Sequence, residues 1–171
     1  MILIAVLLTS CHSSKERTLE LSDKMLTVNP ERALTILDSL ENAGGLDKEE
    51  RLHLVWNRAM AHKVLGMSLA EDEQLPHAIA FYRNDQDKQA DSYLLEASYL
   101  DWTGKRADAI NVLDKGIAEI SDSAKRVKLM AVQAGLLERQ KAYESATEVL
   151  KRALAYNSSK REEAILNYKI G

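Results

Sequence analysis

Few side chains in this sequence could carry out chemistry, and the candidates are one cysteine and four histidines. A single cysteine can form neither an intrachain disulfide nor a cysteine-based zinc site. His53 and His62 are spaced so that they fall on opposite sides of a helix and cannot share a ligand. Glu49 and Glu50 precede His53 by one helical turn, and such spacing is typical of an exposed i, i+4 pair. We find no phosphate-binding glycine loop and no Gly-x-Ser-x-Gly or His-Glu-x-x-His motif, so we predict no metal, no cofactor and no enzymatic activity.

The position of Cys11 suggests another role for its thiol. Residues 1–8 are apolar and uncharged. This segment is too short to span a bilayer, because a spanning helix takes roughly 20 residues. Its length and composition are typical of the hydrophobic region of a signal peptide. Leu8, Thr9, Ser10 and Cys11 resemble a bacterial lipobox, in which a leucine is followed by two small residues and a cysteine. The resemblance implies cleavage before Cys11, a diacylglycerol thioether on its sulfur, and acylation, typically with palmitate, of its new amine.

This resemblance makes residues 1–10 a lipoprotein signal peptide and residues 11–17 the lipidated cysteine with a polar tether. The acyl chains would hold the protein on a membrane. Because His12, rather than an aspartate, follows the cysteine, the outer membrane facing the periplasm is favoured. An ordinary signal peptide and a buried N-terminal strand are the alternatives.

Composition predicts an all-α protein that does not bind nucleic acid. Only two prolines and seven glycines interrupt a chain that is rich in good helix formers, with 5% aromatic residues. The net charge is −3, so there is no strong positive field to attract phosphates.

The second half of the chain contains an internal repeat. The segment from Ala90 aligns with the segment from Val127 at an offset of 37 residues (127 − 90), and each reads as helix, tight turn, helix. Small residues coincide at three positions: Ala97 with Ala134, Ala109 with Ala146, and Gly116 with Ala153. Two helices approach closely only where small side chains meet, so we expect these residues at the helix contacts. Gly104 suits the left-handed end of a helix, whereas Lys141 does not, so we expect the second turn to close differently.

This spacing of small residues resembles the tetratricopeptide repeat, a helical hairpin of about 34 residues. Upstream, Asn29 is a predicted N-cap with Pro30 at the first helical position. Together with Ala33, Leu34, Leu37 and Asp38 it matches an Asn-Pro-x-x-Ala-Leu-x-x-Leu-Asp helix. The whole arrangement resembles tetratricopeptide lipoproteins of the Bacteroidetes type.

The resemblance implies a helical-hairpin solenoid over residues 18–171, with about four antiparallel helix pairs and a final unpaired helix. The pairs are expected at about 18–41, 48–84, 90–120 and 124–156, with the final helix at 159–170. That last helix is either a cap or the start of a further unit, and the sequence leaves this open. Trp56 falls where the family has a core leucine, so we expect it to be buried.

In such solenoids the first helix of each pair lines the concave side. The resemblance therefore implies a partner-binding groove, and its expected residues are Asp91, Leu94, Ser98, Asp101 and Trp102 from one pair and Lys128, Ala131, Gly135, Glu138 and Arg139 from the next. Small residues at the floor would leave room for a bound peptide or helix. A solvated groove, or one filled by the C-terminal segment, is the alternative.

The sequence is compatible with two functions. The first is a membrane-tethered scaffold for protein–protein interaction in the bacterial cell envelope. The second is a periplasmic accessory lipoprotein that binds a glycan or small ligand, or acts as an enzyme, with the repeats as its chassis. The absence of a paired-carboxylate or nucleophile motif favours the first. The sequence indicates neither the partner nor the oligomeric state.

The lipobox interpretation predicts that Cys11→Ala abolishes acylation, because the thioether has no other sulfur on which to form. The precursor should also escape cleavage by the lipoprotein peptidase. Metabolic labelling with radioactive palmitate, with the wild-type chain alongside, checks both points. A variant that still incorporates palmitate would show that Cys11 is not the anchor.

Overall fold

The computed structural model describes the backbone of residues 2–70 and 73–156, and the side chains from residue 14 onward in those ranges. All regular elements in these ranges are α-helices, which confirms the all-α prediction. They are α1 (Ile2–Val28), α2 (Pro30–Ala43), α3 (Lys48–Leu65), α4 (Leu75–Tyr82), α5 (Gln89–Trp102), α6 (Arg106–Glu119), α7 (Ser123–Arg139) and α8 (Tyr143–Tyr156). The final helix expected at 159–170 lies outside the described residues. The chain divides into two compact units, Met1–Phe81 and Tyr82–Gly171.

The first unit is built on three mutually packed helices. Helix α1 packs against α2 and α3, and α2 packs against α3. Their shared core consists of Leu19, Leu37, Leu40 and Leu54. Trp56 is also buried, with 3% of its surface exposed, as predicted. Each of these helices therefore contributes an apolar stripe to one core.

The helix starts of this unit follow side-chain capping rules. Asn29 is the N-cap of α2, accepting a hydrogen bond from the Arg32 amide at 2.9 Å, and Pro30 is the first helical residue, as predicted. Helix α3 begins with a capping box in which Asp47 and Glu50 each accept the other's backbone N–H, at 2.8 and 2.9 Å.

Of the two glutamates expected to form an exposed pair with His53, Glu50 is buried and its carboxylate accepts the Asp47 amide in the capping box. His53 bonds Asp23 of α1, with Nε2 3.0 Å from Oδ1. His53 therefore takes part in the packing of α1 on α3, which the local i, i+4 spacing did not indicate.

Helix α1 begins well before the helix that the sequence analysis placed near residue 18. It is continuous from Ile2 to Val28 and includes residues 11–17, which were expected to form a tether. No glycine or proline occurs in this stretch, so nothing in the local sequence breaks the helix. The Lys15 ammonium donates a hydrogen bond to the Gly45 carbonyl and so joins α1 to the α2–α3 connection.

The second unit is a chain of neighbouring helices. Helix α5 packs on α6, α6 on α7 and α7 on α8, and α5 also contacts α7. The predicted small residues Ala97, Ala109, Ala134, Ala146 and Ala153 are all buried in one hydrophobic core. The interior of this unit therefore contains the residues that the repeat alignment assigned to helix contacts.

Gly116 shows why a small residue is needed at a contact. A Cβ atom on Gly116 would overlap the Leu129 side chain and lie 2.6 Å from Cγ of Tyr93. Helix α6 is thus pressed against side chains of both α5 and α7. By contrast, Gly135 on α7 has open space where a Cβ would be.

The turns at Gly104 and Lys141 have the same geometry, so the expectation that they close differently is wrong. Gly104 has φ +80° and Lys141 has φ +62°, both in the left-handed region. Three matching backbone hydrogen bonds close each turn: Thr103 to Tyr99, Gly104 to Asp101 and Lys105 to Leu100 in one, and Gln140 to Leu136, Lys141 to Glu138 and Ala142 to Leu137 in the other. Lysine adopts the strained conformation because this bonding pattern requires it.

We expect Lys141→Gly to stabilise the protein by roughly 0.5–1 kcal/mol, because glycine reaches a left-handed φ without the steric cost of a Cβ. Gly104→Lys, the reverse change at the matching turn, should destabilise it by roughly 1 kcal/mol. Chemical denaturation of both variants gives the two changes in unfolding free energy. Loss of stability in Lys141→Gly would mean that the turn does not have this conformation.

Candidate functional site

The predicted groove residues lie on α5 and α7, which contact one another. At the C-terminal ends of these helices the structure joins two of them directly. The Asp101 carboxylate accepts from Arg139 of α7 at 2.9 Å through Oδ2, and from Nε of Arg106 at 2.6 Å through Oδ1. Both carboxylate oxygens are used, and only 16% of the Asp101 side chain is exposed. Asp101 therefore fixes the end of α5 to the start of α6 and to the end of α7.

Trp102, the last residue of α5, is the main exposed apolar side chain beside this ion-pair cluster. Half of its surface, 51%, is exposed to solvent. Burial of such a side chain against a partner would remove a large apolar area from water, so Trp102 is the residue of this surface best suited to act as an anchor. The ion pairs of Asp101 hold the helix end that presents it.

The expected floor of the groove consists of small side chains that the structure leaves partly accessible. Ser98, Ala131 and Gly135 are all half-buried. The Ser98 hydroxyl donates to the Leu94 carbonyl at 2.8 Å, so its one donor is used within α5, while its oxygen can still accept a hydrogen bond. The space above Gly135 is open. The floor of the groove therefore offers space and few polar groups.

Leu94 does not belong to this surface. It is 4% exposed and packs in the core of the second unit, although the sequence analysis placed it in the groove. Helix α5 is buried on more than one side, so helical spacing alone does not separate its core residues from its surface residues. Asp91 and Glu138 are half-buried, and Lys128 and Arg139 are exposed.

A polar cluster between α1 and α3 was not predicted. Asn57 is fully buried and donates from Nδ2 to Ser22 Oγ at 2.8 Å and to Asp23 Oδ1 at 2.7 Å. Asp23 also bonds His53. The residues of this cluster are distant in sequence. The one feature of the sequence that could have indicated it is that Ser22 and Asn57 occupy helix positions expected to face the core. Because buried polar groups need partners, the cluster specifies how α1 sits on α3.

The first unit also contains a cavity of about 450 Å³ beside α3. It is lined by Glu41, Arg51, Val55, Arg58, His62, Ser68, Glu73 and Gln74. Arg58 bonds Glu41 at 2.6 Å and Asp38 at 3.3 Å, and its hydrogen bond holds the pKa of Glu41 below the ordinary value. The lining is polar and mixed in charge.

Within the described part of the chain, no three His, Cys, Asp or Glu side chains come together as a metal site. In the same part, no helix is both long enough and apolar enough to cross a bilayer. The side chain of Cys11, the predicted lipidation site, lies outside the described side chains.

No protein-family model matches the chain, and neither the curated proteins nor the solved structures include a match.

The Asp101 ion pairs generate a stability prediction. Asp101→Asn removes the charge that binds two arginines and should destabilise the second unit by about 1 kcal/mol, the size expected for partly exposed pairs. Glu138→Gln, the equivalent position one repeat later, has no ion pair among the described residues and should change stability by less than about 0.5 kcal/mol. Thermal and chemical denaturation compare the two. Equal effects would show that the Asp101 pairs do not fasten α5 to α7.

Proposed function

We propose that the chain is a membrane-tethered tetratricopeptide-type scaffold of the bacterial cell envelope, which binds a segment of a protein partner along α5 and α7. The proposal assigns the protein a binding role rather than an enzymatic one. The observation that carries it is Trp102, an exposed aromatic side chain held beside a fixed ion-pair cluster.

The repeat character of the second unit supports this proposal. Residues that match at the 37-residue offset also match in burial and in turn geometry, as Ala109 with Ala146 and Gly104 with Lys141 illustrate. Repeated helical hairpins present their first helices side by side, and such surfaces commonly bind extended or helical peptides. A bacterial lipoprotein of this kind remains our proposal for the family of the chain.

The chemistry of the surface favours a peptide partner with charges of its own. Lys128 is exposed, Arg139 is exposed although it pairs with Asp101, and Asp91 and Glu138 are half-buried, so the surface carries both signs of charge. A polyanion would meet the acidic residues as well as the basic ones, which disfavours nucleic acid. Burial of Trp102 against an apolar residue of the partner would supply most of the affinity.

For the location we propose a lipid anchor on Cys11, on the outer membrane and facing the periplasm. The support is the Leu-Thr-Ser-Cys sequence after an apolar stretch. Acylation would place the binding surface at a membrane without a spanning helix.

The cavity beside α3 favours the second candidate function, binding of a small ligand or glycan. Its volume of about 450 Å³ is within the usual range for small-molecule sites. Arg51 and Glu73 line it, and Arg51 lies close enough to Glu41 to help hold the pKa of that carboxyl below its ordinary value. Both charged side chains could meet polar ligand groups.

Capture of partners from native membranes tests the scaffold proposal. Trp102→Ala should reduce co-purification of a crosslinked partner at least tenfold, because an interface anchor of this kind carries roughly 2 kcal/mol or more. Tyr143→Ala is the matched control, since Tyr143 is an exposed aromatic residue (62%) at the start of α8. Thermal melts of both variants separate loss of binding from loss of folding.

Two outcomes would contradict the proposal. One is equal capture by wild type and Trp102→Ala, and the other is an equal loss in Trp102→Ala and Tyr143→Ala. A wild-type chain that captures no partner but binds glycan fragments, with binding lost in Arg51→Gln, would support the second candidate instead.

A further inference from the structure

Helix α1 has an outward face that its packing leaves uncovered. Its inward side carries Leu19 and Ser22, which are fully buried, and Asp23, which bonds α3. The opposite side carries four exposed residues: Arg17, Leu21, Lys24 and Val28. They are four, three and four positions apart in the sequence, so their side chains form one narrow stripe along the helix.

The apolar members of this stripe are unusually accessible. Leu21 is 47% exposed and Val28 is 76% exposed, the highest value among the large apolar side chains that the structure describes. Single exposed leucines or valines are common on protein surfaces. On α1, however, two exposed apolar residues share one stripe with two cationic residues. The acidic residues Glu16 and Glu20 lie to one side of this stripe.

The backbone of α1 connects this stripe to an apolar segment. The helix is continuous from Ile2 to Val28, and residues 2–8 of the sequence are entirely apolar. In the acylated protein, cleavage removes residues 1–10, and the lipid on Cys11 takes their place at the same end of the helix. Either the apolar segment or that lipid would therefore bring the rest of α1 close to the membrane surface. Alternating apolar and basic side chains suit that environment, because the cations contact headgroups while the apolar groups enter the boundary layer.

We propose that the Arg17–Leu21–Lys24–Val28 stripe lies flat on an anionic lipid surface and so sets the orientation of the first unit. This deepens the membrane attachment in the proposed function, but it depends on the stripe rather than on acylation of Cys11. Each cation held near an anionic membrane raises the partition onto it about fivefold. The stripe therefore adds lipid selectivity, which an acyl chain alone would not give.

Site-specific fluorescence in the full chain tests this proposal. Cys11→Ser removes the one native thiol, and Val28→Cys introduces a single site for an environment-sensitive dye. Ser39→Cys on α2 is the matched control, because Ser39 is also an exposed helical position of the first unit. The vesicles contain either phosphatidylcholine alone or phosphatidylcholine with phosphatidylglycerol. We expect a blue shift, and quenching by spin-labelled lipid, at position 28 and not at position 39.

Charge variants test the lipid selectivity by vesicle sedimentation. Arg17→Gln with Lys24→Gln should lower partition onto the phosphatidylglycerol vesicles about tenfold or more and leave partition onto phosphatidylcholine unchanged. Arg17→Lys with Lys24→Arg should preserve the preference, which separates charge from a structural role. Circular dichroism checks that each variant retains its helices.

Three results would overturn the proposal: equal dye responses at positions 28 and 39, no preference for phosphatidylglycerol, or a response at position 28 only when envelope proteins are added. The last would make the stripe a protein-binding surface. The mass of Cys11-containing peptides from native membranes is measured separately. An unacylated Cys11 would remove the anchor from the proposed function without altering the expected vesicle results.

Discussion

The second unit depends on the absence of a side chain at Gly116. At this point α6 lies so close to its neighbours that Leu129 of α7 and Tyr93 of α5 occupy the space a Cβ would need. One glycine therefore sets the spacing of three helices. A protein interior packed this closely tolerates little added volume. The positions of the other contacts between these helices therefore follow from the close approach at Gly116.

Tyr93 links this contact to the polar groups around it. Its ring lies under the Arg83 guanidinium, 3.9 Å from the ring centroid, and its hydroxyl donates to Glu119 of α6. Burial raises the pKa of the phenol, and the hydrogen bond to Glu119 raises it further, so the group stays a neutral donor at neutral pH. The aromatic ring fills the space beside Gly116 while its polar end remains bonded. This arrangement fixes α5, whose far end presents Trp102.

The sequence predicted the features that depend on local chemistry or on an internal repeat. Small residues at matched positions indicated the buried contacts, and Asn29 with Pro30 indicated the start of α2, because capping and close packing restrict residue type strongly. It did not predict that Lys141 would adopt the left-handed φ of Gly104. A hydrogen-bonding pattern shared by two turns outweighed the local preference of lysine, and that pattern is a property of the fold.

Contacts between residues of different helices do not follow from helical spacing. Asp101 was predicted to bind a partner, whereas in the structure it forms ion pairs with Arg106 and Arg139. Leu94 was predicted to line the groove, whereas it is buried in the core of the second unit. Helical spacing shows which residues share a face, but it does not show what that face meets. The length of α1 was not predicted either. The change from apolar to polar residues at Cys11 suggested that no helix runs through this position, whereas the backbone from Ile2 to Val28 forms one helix.

The most direct test of the close helix contact compares Gly116→Ala with Gly135→Ala by chemical denaturation. Both glycines lie within helices, so alanine should gain roughly 0.5–1 kcal/mol of helix preference at each. At Gly135 the methyl group enters open space, and we expect a gain in stability. At Gly116 it overlaps Leu129 and Tyr93, and we expect a net loss of about 1–3 kcal/mol from overpacking. Stabilisation of both variants by the same amount would contradict the close approach of α6 to α5 and α7.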